Sequence, residues 1–353
     1  VQPETMLILV INAGSSSIKF SVFRAPETGG GEPALVLDGE KGAIGDEEGL
    51  TEAFHAALDS VAEARFTVDA VGYRVVHPGP KLHDHQRITE EVLRELEQAA
   101  TFAPLHDPEA VSLIREGMKR FPAICHYACF DTVFHQTMPE EAMTYPIPQA
   151  YRDQGVRRYG FHGLSCESIL RQLEPVPRRL VIAHLGSGCS VTAVLDGKSV
   201  DTTMGLTPTG GVVMGTRPGD LDPGLILYLL RQQKGDAATA VETTLNHEAG
   251  MIALSGQPND MKAIRKAAGA GDAGALLALR VFTRSVTKAI GGFQWLLGGL
   301  DAIVFTGGIG EHDATTRTEV LGGADIGGKI AILVLASQED LVIAMHVERL
   351  ERG

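Results

Sequence analysis

The chain lacks any apolar run approaching the ~20 residues needed to cross a bilayer. It also has no low-complexity tract and no surplus of basic residues. Its 31 Lys and Arg stand against 44 Asp and Glu, for a formal net charge of −13. That balance argues against a general nucleic-acid or anionic-membrane binder. It also means that any anion site must be a locally basic pocket in an unfavourable overall field. Cysteine is sparse: Cys125, Cys129, Cys166 and Cys189 form no CxxC pair. Cys125-His-Tyr-Ala-Cys129 lies within the apolar stretch 123–130, which suits buried thiols better than metal ligands. A reduced, cytoplasmic protein is the expectation. The opening Val1–Met6 has no basic flank and Met6–Ile11 is too short for the apolar part of a signal peptide, so this stretch reads as a first strand.

What is present begins with a repeat. Leu9-Val-Ile-Asn-Ala-Gly14-Ser15-Ser-Ser17-Ile-Lys19 and Val181-Ile-Ala-His184-Leu185-Gly186-Ser187-Gly188-Cys-Ser190 align at a separation of 172 positions, Gly14 opposite Gly186. A turn without bulky Cβ groups exposes backbone N–H groups, and hydroxyls add donors, so such a loop suits phosphate oxygens. Two such loops suggest two related lobes on one polyphosphate. At 353 residues two domains are the default.

Strands are expected at Leu7–Ile11, Ile18–Arg24, Val68–Val76 and within 123–130. In the second half they are expected at Leu180–Leu185, Ser190–Leu195, Ser199–Thr203, Asp301–Thr306 and Ile330–Leu335. Asp196-Gly197 is a two-residue hairpin signal. Helices are expected from Thr89, from Asp107-Pro108, at about 223–233, 259–269 and 272–297, and from about Gln338. Residues 26–50, rich in Gly, Glu and Asp, read as an exposed connection. Leu321–Lys329 looks compressed, as a shortened loop or as one missing residues. The order is α/β, with mixed sheets between helices.

Taken together, Asn12–Lys19, Tyr73-Arg74-Val-Val76-His77, Ala103-Pro-Leu105-His106, Phe130-Asp131–Pro139, Tyr159-Gly-Phe161-His162-Gly163, Ala183–Ser190, Met204–Asp222 and Phe305–Glu311 resemble the acetate/propionate kinase family. The resemblance implies the two-domain actin/sugar kinase/Hsp70-like (ribonuclease H-like) fold, with mixed sheets flanked by helices and the active site in the interdomain cleft. It further implies an N-terminal lobe of residues 1–131 completed by 340–353, and a nucleotide-binding lobe of 132–339. The implied reaction is reversible transfer of the ATP γ-phosphoryl group to acetate or propionate. Mg2+ is the expected ion, with Mn2+ as an alternative, and a homodimer through the second lobe is expected.

An acceptor carboxylate is already ionised at pH 7, so positioning, cations and a metal should carry the catalysis. By resemblance, Arg74 and Arg217 are the active-site arginines, and His162 stabilises the transition state. Asp131 is the essential aspartate, expected to orient an arginine or metal-bound water; helix capping is its bland alternative. Asn12 and Glu339 are the implied metal ligands, with Asp340 a neighbouring candidate. Nucleotide contacts fall on Ser15, Ser17 and Lys19, on His184, Leu185, Gly186, Ser187 and Gly188, on Asp260, Met261 and Lys262, and on Gly308, Ile309, Gly310, Glu311 and His312. Val76, Leu105, Phe161 and Pro208 are the implied acyl pocket, though such residues equally suit a core.

The chain departs from the family pattern at Ser187, Lys262, His312, Cys166, Pro78 and Thr209-Gly210-Gly211. A butyrate kinase is disfavoured by Ala13, where that enzyme typically has Pro. A nucleotide-driven switch of the actin or Hsp70 kind is the alternative from a different class.

Overall fold

A computed structural model describes residues 5–14, 17–27, 31–42, 47–99, 107–322 and 330–353. Ser15, Leu105, the segment 103–106 and most of the compressed stretch (323–329) lie outside the described residues. The chain forms two compact units, Val1–Val133 with Gln338–Gly353, and Phe134–Ser337.

The first unit is a mixed sheet of β1 (Leu7–Ala13), β2 (Ser17–Arg24), β3 (Ala34–Gly42), β4 (Ala70–Val75), β5 (Gln86–Arg87) and β6 (Cys125–Phe130), in the order β3-β2-β1-β4-β6-β5. β1 to β3 run antiparallel in sequence, whereas β4 lies parallel to β1 and β6 parallel to β4. The central β1 is apolar at consecutive positions because both its faces are covered. Leu9, Ile11, Val71 and Tyr73 pack on one face with Phe54, Leu93, Leu96 and Ile114 from the helices Glu47–Glu63, Glu90–Ala99 and Asp107–Arg120. On the other face the helix Glu339–Arg352 lies against β4 so closely that a Cβ at Gly72 would be 2.7 Å from both Ile343 and Val347. Alternation therefore puts Asn12 and Arg74 on the terminal-helix face.

One expectation fails here. Residues 26–50 are no mere connection, since β3 pairs with β2 over Ala34–Gly42 and a helix begins at Glu47. β3 is a partly exposed edge strand, so it carries little apolar alternation to be read. Its Gly39 makes room for the Phe20 ring, which a Cβ there would meet at 2.6 Å.

In the second unit, β7 (Arg179–Leu185), β8 (Cys189–Leu195) and β9 (Lys198–Thr202) form an antiparallel meander, with β10 (Ala302–Thr306) and β11 (Ala331–Val334) added in parallel. The order is β11-β10-β7-β8-β9, matching the five strands β6-β4-β1-β2-β3 of the first unit. Asp196 (φ 49°) and Gly197 (φ 75°) make the expected tight hairpin. The helices Pro223–Gln232, Met261–Gly269 and Ala273–Leu296 follow the expected ranges. The Gly-rich run after β10 is a helical turn, Gly307–His312, entered through Gly307 at φ +76°. Among the described residues no helix is long and apolar enough to cross a membrane.

Candidate active site

Each unit gathers chemistry at the carboxyl ends of its central parallel strands, where open α/β sheets bind ligands. In the first unit Asn12 ends β1, Arg74 ends β4 and Asp131 follows β6. The Asp131 carboxylate is 1% exposed and accepts from Arg74 in a fork, Nη2 to Oδ2 at 2.6 Å and Nε to Oδ1 at 3.0 Å. Such a pair fixes the guanidinium plane. Burial by itself weakens the Arg74 charge, but the Asp131, Glu339 and Asp340 carboxylates outweigh it and hold the guanidinium above its ordinary pKa. Arg74 Nη1 also donates to Asn12 Oδ1 at 3.2 Å.

Asn12 in turn donates through Nδ2 to Glu339 Oε2 at 3.2 Å and Asp340 Oδ1 at 2.9 Å. Both acids open the helix Glu339–Arg352. Sequence left Glu339 and Asp340 as alternatives, and the fold brings both to Asn12. Asp340 Oδ2 accepts from Ser21 Oγ at 2.7 Å, a partner that sequence reasoning missed. Glu339 and Asp340 offer carboxylate oxygens, ligands that suit Mg2+, while Asn12 turns its Nδ2 to them and its Oδ1 to Arg74. Lys19 is the cross-strand partner of Asn12, so its exposed side chain shares their sheet face. Ser17 is turned to Glu40, donating at 2.5 Å. Val76 is half-buried, two residues beyond Arg74.

In the second unit His162 stands at φ +60°, its Nδ1 3.0 Å from Ser190 Oγ and its ring stacked on His184 at 4.1 Å. His184 Nδ1 is held at 2.8 Å by Ser165 Oγ. Phe161, 1% exposed, presents its carbonyl to His135 Nε2 at 2.9 Å. A carbonyl only accepts, so the His135 proton sits on Nε2 and Nδ1 takes the Ser199 hydroxyl. Burial drives the His135 pKa down to about 4, against the raising effect of that carbonyl.

Arg217 Nη1 donates to the Pro208 carbonyl at 2.7 Å. Its Nη2 and His162 Nε2 flank one point, 3.3 and 3.5 Å from where a Cβ on Gly188 would stand. Any side chain at 188 would enter the space between the two.

The loop 186–188 is closed by Gly186 N–H on the Gly188 carbonyl at 3.0 Å, and Gly215 N–H reaches the Ser187 carbonyl at 3.3 Å. Asn259, absent from the sequence-based candidates, donates to Ser187 Oγ at 3.2 Å. β10 pairs with β7 through Thr306 and His184, which brings the Gly307–His312 turn beside this loop. Gly308 is open there, with nothing among the described residues within 4 Å of a Cβ position. Ile309 and Gly310 continue the turn, and Leu185 is buried at the end of β7. Glu311 acts within the fold: its Oε1 accepts from Gly307 N–H at 2.9 Å and Ser337 N–H at 3.2 Å. His312 is exposed at the end of the same turn. Asp260 caps the helix Met261–Gly269, accepting from Lys262 N–H at 3.0 Å, and leaves the Lys262 side chain exposed.

A mixed sheet flanked by helices in each unit, with one strand order used twice, is the actin/sugar kinase fold. The acetokinase family model matches residues 7–343, and the chain belongs to that family, whose acceptor is a carboxyl group. It is 42% identical to acetate kinase of Micrococcus luteus over 330 residues, covering 90% of this chain and 84% of the relative. It is 38% identical to acetate kinase of Geobacillus kaustophilus over 391 residues, covering 97% and 98%. A crystal structure of a propionate kinase from Francisella tularensis superposes with a TM-score of 0.87 at 32% identity, covering 98% of this chain and all of the other.

Proposed function

We propose that the protein transfers the γ-phosphoryl group of ATP reversibly to acetate, giving acetyl phosphate and ADP by direct in-line displacement. The observation that carries this reading is the Arg74–Asp131 fork beside Asn12 and the Glu339 and Asp340 carboxylates. The acceptor is ionised at neutral pH and needs no base. Asp131 therefore orients Arg74 and does not abstract a proton. Arg74 and Arg217 hold carboxylate and migrating phosphoryl oxygens, and His162 donates to the same developing charge. The Glu339 and Asp340 carboxylates, with Asn12 beside them, would hold Mg2+, which would supply positive charge to the polyphosphate. Lys19, the 186–188 loop, the Gly308 turn and Lys262 serve the nucleotide. Val76, Phe161 and Pro208 border the acyl tail.

One methylene is worth about 1–3 kcal/mol in an apolar pocket, so propionate is tolerated. A hydroxamate assay for acyl phosphate across acetate, propionate and butyrate tests the reading. Acetate should give the highest kcat/KM. A butyrate optimum moves the assignment within the family. ATP hydrolysis that ignores added carboxylate and yields no acyl phosphate establishes a nucleotide switch instead.

We also infer a homodimer through the second unit. Leu225, Leu227, Tyr228, Leu276 and Leu296 are exposed on its helices, and Trp295 is 90% exposed, a set whose burial favours a second copy. Sedimentation of Trp295→Lys should show monomer where the parent sediments as dimer. The four cysteines are free, which supports the cytoplasmic placement.

A further inference from the structure

The loop that carries Arg217 is held by a segment to which the reaction assigns nothing. Thr244–Glu248 forms one π-helical turn, a geometry that recurs at functional sites. Within it, Asn246 Oδ1 accepts from Thr209 Oγ1 at 2.6 Å, and the Asn246 carbonyl accepts from Thr216 Oγ1 at 2.7 Å. Asn246 Nδ2 is anchored at 3.0 Å on the Glu242 carbonyl. One residue thus grips the loop immediately after Pro208 and immediately before Arg217, the two residues joined by the guanidinium–carbonyl bond.

The residues that follow complete a template. Ala249, Met251 and Ile252 donate backbone N–H groups to the carbonyls of Thr216 (3.1 Å), Met214 (2.9 Å) and Gly215 (3.0 Å). Gly250, at φ +66°, has the Arg217 backbone where its Cβ would be: N and O both lie 2.8 Å from that position.

We propose that Asn246 is a positioning residue for Arg217, and that its bond to Thr209 sets the acyl-chain preference through Pro208. This rests on the acyl-kinase reading above. Arg217 points as it does because the Pro208 carbonyl holds Nη1, and Pro208 stays in place because the next residue is tied to Asn246. Without the tie, the carbonyl and the guanidinium drift together. The wall that Pro208 offers an acyl tail then becomes less defined.

The test uses Thr209→Val, which keeps the shape and removes the hydroxyl, Thr209→Ser, which keeps the hydroxyl, and Asn246→Ala, all in the full chain. Misplacement of a positioning group by an ångström costs up to about a hundredfold. T209V should therefore lose roughly ten- to a hundredfold in kcat, with KM for ATP within about twofold of the parent. Its acetate-to-propionate ratio of kcat/KM should shift, and T209S should retain most of the turnover. T209V and N246A combined should lose no more than N246A alone, because both remove one bond. A merely structural role would lower the melting temperature and leave the acyl ratio unmoved. A folded T209V with parental kcat and acyl ratio overturns the proposal, as does full additivity of the pair. If the parent makes no acyl phosphate, the acyl-kinase reading fails, and the positioning claim is decided by a crystal structure of T209V. Arg217 still on the Pro208 carbonyl there refutes it; a displaced guanidinium upholds it.

Discussion

The two units share one strand order yet anchor their arginines in different ways. In the first, Arg74 is clamped by a buried carboxylate and neighboured by two more acids. In the second, Arg217 is held by a main-chain carbonyl, and a stacked histidine pair stands at the same strand ends. A fork onto Asp131 makes Arg74 rigid at the cost of part of its field. A carbonyl orients Arg217 while adding no negative charge. One scaffold used twice therefore holds two arginines by different means, one by a buried carboxylate and the other by a main-chain carbonyl.

The contrast breaks most visibly at the arginines. Arg217→Ala should lower kcat by orders of magnitude with modest loss of ATP affinity, because its contact strengthens as charge develops. Arg74→Ala should do the same and also raise KM for the carboxylate. Steady-state kinetics with both substrates varied reads the difference, and unchanged turnover in either variant removes that arginine from the mechanism.

Next in size are the acids. Glu339→Gln and Asp340→Asn should each raise the half-saturating Mg2+ concentration, roughly tenfold or more for Glu339. Asp340→Asn should have the smaller effect, since Ser21 and Asn12 already engage both Asp340 oxygens. A magnesium titration of initial rates ranks them, and the reverse order would make Asp340 the principal ligand.

The smallest effect belongs to pH and the second unit. His135 is neutral when folded, with its pKa down at about 4, against about 6.5 unfolded. The unfolded chain then binds the extra proton between those values. The stabilisation is therefore complete above pH 6.5 and is lost as pH falls towards 4, by about 3 kcal/mol at most. His135→Gln should flatten that part of the melting-temperature profile, whereas a profile as steep as the parent's would assign the loss to other groups.

Much of this was open to inspection in the residues themselves. β1 and β7 show as apolar runs ending in Gly because central strands are buried on both faces. Arg74, Asp131 and His162 sit in motifs specific enough to name them. Other features left no such trace. β3 is a polar edge strand, and its Gly39 looks like loop composition until the Phe20 ring is seen against it. Asn246 lies in Thr-Leu-Asn-His-Glu, a polar stretch without a signature, and its importance comes from threonines 37 and 30 positions earlier. Ser21 reaches Asp340 across 319 residues, a contact that only the packed terminal helix creates. Glu311 lies in the segment that the resemblance gives to the nucleotide, and only the fold shows its carboxylate bracing the Gly307 turn.

The helix Glu339–Arg352 belongs to the unit that the chain began, although all of Phe134–Ser337 is made in between. On the ribosome the first sheet must therefore wait, one apolar face uncovered at Gly72, until the second unit has been synthesised. Asn12 meets the Glu339 and Asp340 carboxylates last of all, when the rest of the chain has already been made.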